Sequence, residues 1–156
     1  MLVRDVMTPR AETIGPDETL QTAAARMREL DVGALVVREG DRAVGIITDR
    51  DIVVRGVAQG RSAAETTVRS AMTPQVIDCR EDDELESAAM RMERGAVRRM
   101  AVLDAERRLV GMLSVDDVAL RRPELAGEII EHVRAPERPV QSAQHGPWPW
   151  WEEPAH

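Results

Sequence analysis

The heptapeptide VRDVMTP at residues 3–9 returns 65 positions later as VRSAMTP at residues 68–74. After one extra residue in the second copy, GIIT at residues 45–48 is matched by GMLS at residues 111–114. A fixed internal period constrains the whole architecture, and two copies indicate a pseudo-symmetric pair rather than a solenoid. Any cleft between the copies should therefore occur twice.

The composition suits one compact domain, or two small ones that share a core. The chain has 156 residues, of which 43% are hydrophobic and 31% are charged. Phe and Tyr are absent, so the core is expected to consist of Val, Leu, Ile, Ala and Met. The formal net charge of −7 argues against broad attraction to nucleic acid or to anionic lipid.

The sequence also predicts the compartment. A single cysteine, Cys79, excludes an intrachain disulfide framework and fits a reducing environment. No segment approaches the apolar length of a bilayer span, and the N-terminus lacks the apolar centre of a signal peptide. We therefore expect a cytoplasmic protein without membrane contact.

Each copy is predicted to fold as a βαββα unit. A short helical turn ends at Met-Thr-Pro, because the residue before a proline disfavours the helical region, and an extended piece follows at 12–14 and at 75–77. Apolar residues at helical spacing predict amphipathic helices at 19–30 and 84–95. Apolar runs without polar alternation predict strand pairs covered on both faces, at 34–37 with 44–47 and at 100–103 with 109–113. One copy is too small to bury this surface alone, so the copies should pack face to face.

The chain divides into four predicted segments. These are repeat 1 at 1–60, repeat 2 at 61–122, a C-terminal helix at 123–134 and a disordered tail at 135–156. The tail is rich in proline and polar residues, and it contains all three Trp residues of the chain. The Trp side chains either anchor the tail in a partner's groove or are incidental.

The order of elements resembles the cystathionine-β-synthase (CBS) domain in its tandem form, the Bateman module. The matching motifs are the Met-Thr-Pro openings, the helix starts at Thr19 and Glu84, and the closing blocks GIITDRDI at 45–52 and GMLSVDDV at 111–118. The resemblance covers about residues 1–122 and is nearest to stand-alone bacterial CBS pairs of the hypoxic-response type. It implies two βαββα repeats packed with pseudo-two-fold symmetry in an α/β disc. Such discs dimerise and often bind adenosine-containing ligands in two clefts.

Both closing blocks place a hydroxyl three positions before a carboxylate, as Thr48 with Asp51 and as Ser114 with Asp117. At a helix start the hydroxyl caps the helix, and the exposed N–H groups favour an anion. The resemblance implies that these four residues bind the phosphate and ribose of a ligand. The same spacing forms a capping box, which requires no ligand. The two roles are not exclusive.

The adenine ring of such a ligand is expected between aliphatic strand residues, Ile46 and Met112 among them. The backbone near Ile14 or Ile77 is expected to read the edge of the ring.

Arg98 and Arg99 precede the second copy's strand, where CBS proteins often place a residue that faces the ligand's phosphates. The first copy has Gly33 and Ala34 at these positions. The second cleft is therefore expected to suit a phosphorylated nucleotide better, unless the arginines merely pair with surface acids.

The repeats show no catalytic constellation. All three His residues lie outside them, and neither a glycine-rich phosphate loop nor metal-ligand spacing is present. Cys79 lies in an extended apolar piece and is expected to be a buried thiol. We expect no enzymatic activity, no metal and no required cofactor.

Two functions stay open at this level. The first is a homodimeric regulatory module that senses an adenosine-type ligand, such as AMP, ATP, NAD or S-adenosylmethionine, and signals to a protein partner that the sequence does not identify. The second is a ligand-free dimeric stress or interaction protein that acts through its dimer surface or its tail. The acidic balance disfavours a third reading, binding to nucleic acid.

Overall fold

The computed structural model describes residues 1–134, so the predicted tail at 135–156 lies outside the described residues. The elements follow the predicted order, and the predicted α/β fold class is confirmed, including the C-terminal helix. Repeat 1 contains a 3₁₀ turn (Val3–Asp5), β1 (Thr8–Pro9), β2 (Thr13–Ile14), α1 (Leu20–Leu30), β3 (Ala34–Glu39), β4 (Arg42–Thr48) and α2 (Asp49–Asp51). After α2 the chain continues as a π-helical turn (Ile52–Gly56) and a 3₁₀ turn (Val57–Gln59).

Repeat 2 contains the counterparts of these elements. They are a 3₁₀ turn (Val68–Ser70), β5 (Asp78–Arg80), α3 (Leu85–Gly95), β6 (Arg99–Leu103), β7 (Leu109–Ser114) and α4 (Val115–Arg121), and α5 (Pro123–Arg134) follows. In each repeat a short strand runs parallel to the next strand, which then forms an antiparallel hairpin. The sheets are ordered β2-β3-β4 and β1-β7-β6-β5. None of the described helices is long and apolar enough to cross a bilayer.

The first strand of repeat 2 lies later than the sequence analysis predicted. Residues 75–77 form no strand, and Cys79 in β5 pairs with Val102 in β6. Cys79 is fully buried, as is its counterpart Ile14, whereas Ile77 is only partly buried. The prediction for residues 75–77 was therefore wrong. The 65-residue offset, which carries Ile14 onto Cys79, is the signal that locates the strand correctly.

The two repeats exchange their opening segments. β1 of repeat 1 pairs antiparallel with β7 of repeat 2, with Thr8 opposite Met112. At the equivalent place in repeat 2, the Thr73 N–H donates to the Ile46 carbonyl at 2.9 Å, and the Ile46 N–H donates back at 3.0 Å. Each Met-Thr-Pro segment therefore pairs with a strand of the other repeat, as the two-residue strand β1 in one case and as a single bridge at Thr73 in the other. We call these two pairings the crossings.

The helical turns before these segments dock in the same reciprocal way. The Val3 N–H donates to the Asp83 carbonyl at 2.9 Å, and the Val68 N–H donates to the Glu18 carbonyl at 2.8 Å. Both contacts relate positions 65 apart, so the backbone exchange is symmetric. Val3 is buried in the core of repeat 2, and Val68 is buried in the core of repeat 1. Each core is thus completed by the other repeat, as expected for units of this size.

Helix α5 enlarges the core of repeat 2. It packs against α3 and α4 and buries Ala126 and Ile129. Arg122, at the end of α4, forms ion pairs with Glu86 of α3 and Glu124 of α5. The helix therefore continues the globular unit that the repeats form.

Two glycines allow the exchanged segments to approach the strands. A Cβ atom on Gly111 would stand 2.7 Å from the Thr8 carbonyl oxygen, and one on Gly45 would stand 2.8 Å from the Thr73 carbonyl oxygen. These oxygens belong to paired backbone and cannot move aside without loss of the crossing. The glycine that opens each closing block is therefore required by packing between the repeats.

We expect Gly111→Ala to lower the free energy of unfolding by about 1–3 kcal/mol, because the added methyl group overpacks the crossing. Urea unfolding measures this loss. Gly127→Ala is the matched control: Gly127 is exposed within α5, and a Cβ there meets no atom within 4 Å. Replacement of a helical glycine should raise stability by up to about 1 kcal/mol. A Gly111→Ala protein as stable as the wild type would contradict the packing argument.

Candidate functional site

Ser114 and Asp117 form a capping box at the start of α4. The Ser114 Oγ accepts from the Asp117 N–H at 3.1 Å, and the Asp117 Oδ2 accepts from the Ser114 N–H at 2.8 Å. Thr48 and Asp51 form the same box at the start of α2, with both contacts at 3.0 Å. Both predicted caps are present, and each backbone cap contact uses only Oδ2 of the carboxylate.

The second oxygen of each carboxylate has a different neighbour. The Asp117 Oδ1 accepts from the Thr8 hydroxyl at 3.4 Å, which is long for a hydrogen bond between oxygen atoms. The Asp51 Oδ1 lies 4.0 Å from Nε of Arg55. The two closing blocks are therefore equivalent in backbone but not in side-chain surroundings.

A cavity of about 310 Å³ opens beside Ser114 and Asp117. Its wall comes from both repeats. Repeat 1 contributes residues 8–12, at the end of the first opening segment and just beyond it, and residues 32–34 at the start of β3. Repeat 2 contributes Arg99, Met112, Ser114, Asp116 and Asp117. A volume of this order is at the lower end of the range for small-molecule sites. The exchange of opening segments is what brings residues 8–12 to a cleft of repeat 2.

Of the two arginines predicted to face a phosphate, Arg98 and Arg99, it is Arg99 that lines this cavity. It stands opposite Ser114 on the neighbouring strand, at the position that Ala34 occupies in repeat 1. Within residues 1–134, Arg99 forms no ion pair. Its guanidinium group can therefore donate to an anion without breaking an existing salt bridge.

The other predicted contact residues are spread over the molecule. Met112 lines the cavity, whereas Arg98 is exposed and its carbonyl accepts from the Val115 N–H at 3.0 Å. Ile46 is engaged at the second crossing, and Ile14 is 2% exposed in the core of repeat 1. Arg98, Ile14, Ile46 and Ile77 do not line this cavity. Their predicted contacts with a ligand stay predictions.

Sequence reasoning missed the part of the site that comes from residues 8–12. Thr8 was recognised as part of a repeated motif, but it was not assigned to a cleft. Local pattern carries no information on which strand a two-residue segment will join. The available signal was the Thr-Pro pair, which recurs at 73–74 and is followed in the first copy by the charged residues Arg10 and Glu12.

A larger cavity of about 520 Å³ lies near the ends of the two hairpins. It is lined by residues 41–43, Val76 and Asp78, and by residues of β6 and the turn after it. Four of its six charged residues already pair, Arg107 with Asp78 at 3.7 Å and Arg108 with Glu106 at 3.2 Å. Neither closing block contributes its hydroxyl and carboxylate to this larger cavity. The smaller cavity is therefore the candidate ligand site.

The repeats and their closing blocks define a tandem CBS-domain pair. Residues 3–56 and 68–124 match the model of the CBS domain, and the chain belongs to this family. The CBS domain-containing protein YhcV of Bacillus subtilis is 34% identical over 133 residues, which cover 84% of this chain and 94% of that protein. Hypoxic response protein 1 of Mycobacterium tuberculosis is 36% identical over 133 residues, which cover 85% of this chain and 91% of that protein. The predicted resemblance is confirmed.

Three solved structures share the fold. Hypoxic Response Protein I, crystallised with two coordinated zinc ions, matches with a TM-score of 0.69 and 34% identity over 78% of this chain and 98% of that one. CBSX2 in complex with AMP has a TM-score of 0.65 and 26% identity, with 76% and 93% covered. The CBS domain pair of protein MJ0100, in complex with 5′-methylthioadenosine and S-adenosyl-L-methionine, has a TM-score of 0.67 and 26% identity, with 77% and 94% covered.

The buried thiol predicted at Cys79 is confirmed, since its side chain has no exposed surface. Burial, and to a lesser extent the nearby Asp83 carboxylate, raises the pKa of the thiol to about 12. Only the thiolate reacts with disulfide reagents. At pH 8 we therefore expect the folded protein to be inert to a chromogenic disulfide such as DTNB and the urea-unfolded protein to react fully. Rapid labelling of the folded chain would show that Cys79 is accessible.

Proposed function

We propose that the chain is a regulatory binding module without catalytic activity, which takes an adenosine-containing ligand into the cavity beside Ser114 and Asp117. The observation that supports this most directly is the pairing of two unlike groups on one cavity wall. Asp117 presents a carboxylate oxygen with only a weak hydroxyl contact, and Arg99 presents a guanidinium group without a salt bridge. In a nucleoside phosphate, the ribose hydroxyls can donate to a carboxylate and the phosphate oxygens can accept from a guanidinium group.

The chemistry assigns an orientation to the ligand. A carboxylate accepts hydrogen bonds from two adjacent hydroxyls, so the ribose belongs at Asp117, where its hydroxyls would replace the contact of 3.4 Å from Thr8. A phosphate belongs between Arg99 and Ser114, which face each other across neighbouring strands. The adenine ring then lies toward residues 10–12 and Met112.

The charges around the cavity favour a ligand of small net charge. Its lining includes the basic residues Arg10 and Arg99 and the acidic residues Glu12, Asp116 and Asp117. A triphosphate would bring more negative charge than two arginines neutralise. AMP and S-adenosylmethionine fit this balance better than ATP, and ligands of both kinds are bound by the CBS pairs CBSX2 and MJ0100.

A ligand in this cavity would touch both repeats. Its wall combines residues 8–12 of repeat 1 with α4 of repeat 2, so occupancy would favour one arrangement of the pair over another. Differential affinity of this kind is what a ligand needs to shift a conformational equilibrium. We infer that the module works as a cytoplasmic homodimer and passes this shift to a protein partner.

A second candidate function is a ligand-free dimeric interaction protein. It is favoured by large apolar side chains that face solvent, namely Val53, Val57 and Leu120, which are 56%, 66% and 83% exposed. Exposed apolar side chains of this size are typical of surfaces that contact another protein. The two functions differ in whether any ligand stabilises the folded chain.

Ligand binding should raise the melting temperature. At a concentration of 100 times Kd, a ligand adds about 2.7 kcal/mol of stability, which corresponds to about 5–10 °C for a chain of this size. Asp117→Asn retains an oxygen that can accept from the Ser114 N–H, but it loses the charge and one acceptor for the ribose. We expect this variant to abolish the shift in a thermal-denaturation screen with AMP, ATP, NAD and S-adenosylmethionine.

Asp5→Asn is the matched control for that screen. The Asp5 Oδ2 accepts from the Leu2 N–H at 3.0 Å in the same three-residue cap, and Asp5 lies outside the cavity. This variant should keep the ligand shift of the wild type. If no ligand in the panel shifts the wild type, the sensing function is wrong and the interaction protein is favoured.

Arg99→Met should weaken AMP and spare adenosine. A hydrogen bond to a charged group contributes about 1.5–3 kcal/mol, so calorimetry should show AMP affinity lowered by about 10- to 100-fold, with adenosine affinity nearly unchanged. Comparison with Arg98→Met separates the two arginines. An equal loss in both variants, or a loss confined to Arg98→Met, would contradict the assignment of the phosphate to Arg99.

A further inference from the structure

Arg55 makes the first closing block different from the second. Its Nη1 donates to the Met72 carbonyl at 2.8 Å and to the Ala71 carbonyl at 3.2 Å, and its Nε lies 4.0 Å from the Asp51 Oδ1. The guanidinium group thus links the carboxylate of repeat 1 to the opening segment of repeat 2. The Arg55 side chain is 44% exposed and stands beside the Asp51 Oδ1, the oxygen that a ribose would have to reach.

The counterpart of Arg55 in repeat 2 makes no such link. The position is Arg121, the last residue of α4. Its side chain is exposed and forms no hydrogen bond or ion pair within the described residues. The difference has a backbone cause, because the helix of repeat 1 widens into the π-helical turn Ile52–Gly56, whereas α4 stays α-helical. Single π turns re-aim side chains and occur frequently at functional sites.

The surroundings of Asp51 leave little room for a ribose. Its side chain is 14% exposed, its Oδ2 accepts from the Thr48 N–H, and its Oδ1 faces a cation held by two main-chain carbonyls. A ribose would have to displace Arg55 and leave the carbonyls of Ala71 and Met72 without this donor, which is costly for partly buried groups. The cavities of about 310 and 520 Å³ are not lined by Thr48 or Asp51.

We infer that Arg55 is a built-in occupant of the first cleft, and that the chain therefore binds one adenosyl ligand, at Asp117, and not two. This inference rests on the proposed function and adds a specificity-determining residue to it. Under this inference, the two clefts beside the duplicated closing blocks have different functions. The second cleft binds, and the first cleft fastens α2 to the opening segment of repeat 2.

Calorimetric stoichiometry with AMP as the probe tests the inference. The wild type should bind one AMP per chain, and Arg55→Met should bind two, because the shorter neutral side chain releases Asp51. Arg121→Met is the matched control and should still bind one. The double variant Arg55→Met/Asp51→Asn should return to one, since the amide keeps the cap but loses the charge that the ribose needs.

Other outcomes are decisive as well. The role of Arg55 would be overturned if the wild type bound two AMP molecules per chain, or if Arg55→Met bound only one. It would also be overturned if Arg55→Met bound none, since Arg55 would then be a ligand contact. Absence of binding in the wild type and in all variants would end both the inference and the proposed function. A single site that appears only in Arg55→Met would support Arg55 as the occupant of the first cleft, but it would overturn the part of the inference that places a ligand at Asp117.

Circular dichroism and thermal melting establish that each variant is folded. If Arg55→Met does not fold, Arg55→Gln replaces it, because its amide can still donate to the Met72 carbonyl while leaving Asp51 without a cationic neighbour. The wild-type stoichiometry tests the inference independently of any variant.

Discussion

At each crossing, the opening segment of one repeat is hydrogen-bonded to a strand of the other repeat. Thr8 can pair with Met112, and Thr73 with Ile46, because the neighbouring residue is a glycine, Gly111 or Gly45. A Cβ atom at either glycine would hold the two segments apart. The opening turns complete the opposite cores through Val3 and Val68. The pair therefore folds as one unit, and the cleft at Asp117 exists only once both halves are in place.

The symmetry of the backbone does not extend to the side chains that face the clefts. Ala34 and Arg99 occupy the same position, yet only Arg99 brings a positive charge to the cavity wall. Arg55 and Arg121 are also equivalent in sequence, but a π-helical turn directs only Arg55 toward the other repeat. Under the proposed function, the duplicated domain thus keeps one framework in both copies and binds its ligand in only one of them.

The parts of the fold that local pattern determines could be predicted from the sequence. The helices began within one residue of their predicted positions, and Thr48 and Ser114 cap helices as their spacing to the following acid indicated. The short strand at Asp78–Arg80 was misplaced, because three extended residues have too little periodicity to fix a register. The approach of residues 8–12 to Ser114 and the link from Arg55 to Met72 depend on contacts between distant segments. No local pattern encodes such contacts.

The position of Asp117 at the crossing offers a physical route from binding to signalling under the proposed function. Its Oδ1 contacts Thr8, whose segment belongs to repeat 1 in sequence and to the sheet of repeat 2 in space. A ribose that takes over this oxygen would replace a contact between the repeats by a contact with the ligand. The free energy of that replacement acts on the junction of the two halves, and a ligand can bias their arrangement only through such a difference. Asp51 lacks this freedom because the guanidinium group beside it is already tied to Met72. Under the proposed function, the cleft at Asp117 is therefore the one suited to sensing, because its carboxylate can exchange the Thr8 contact for a contact with the ligand.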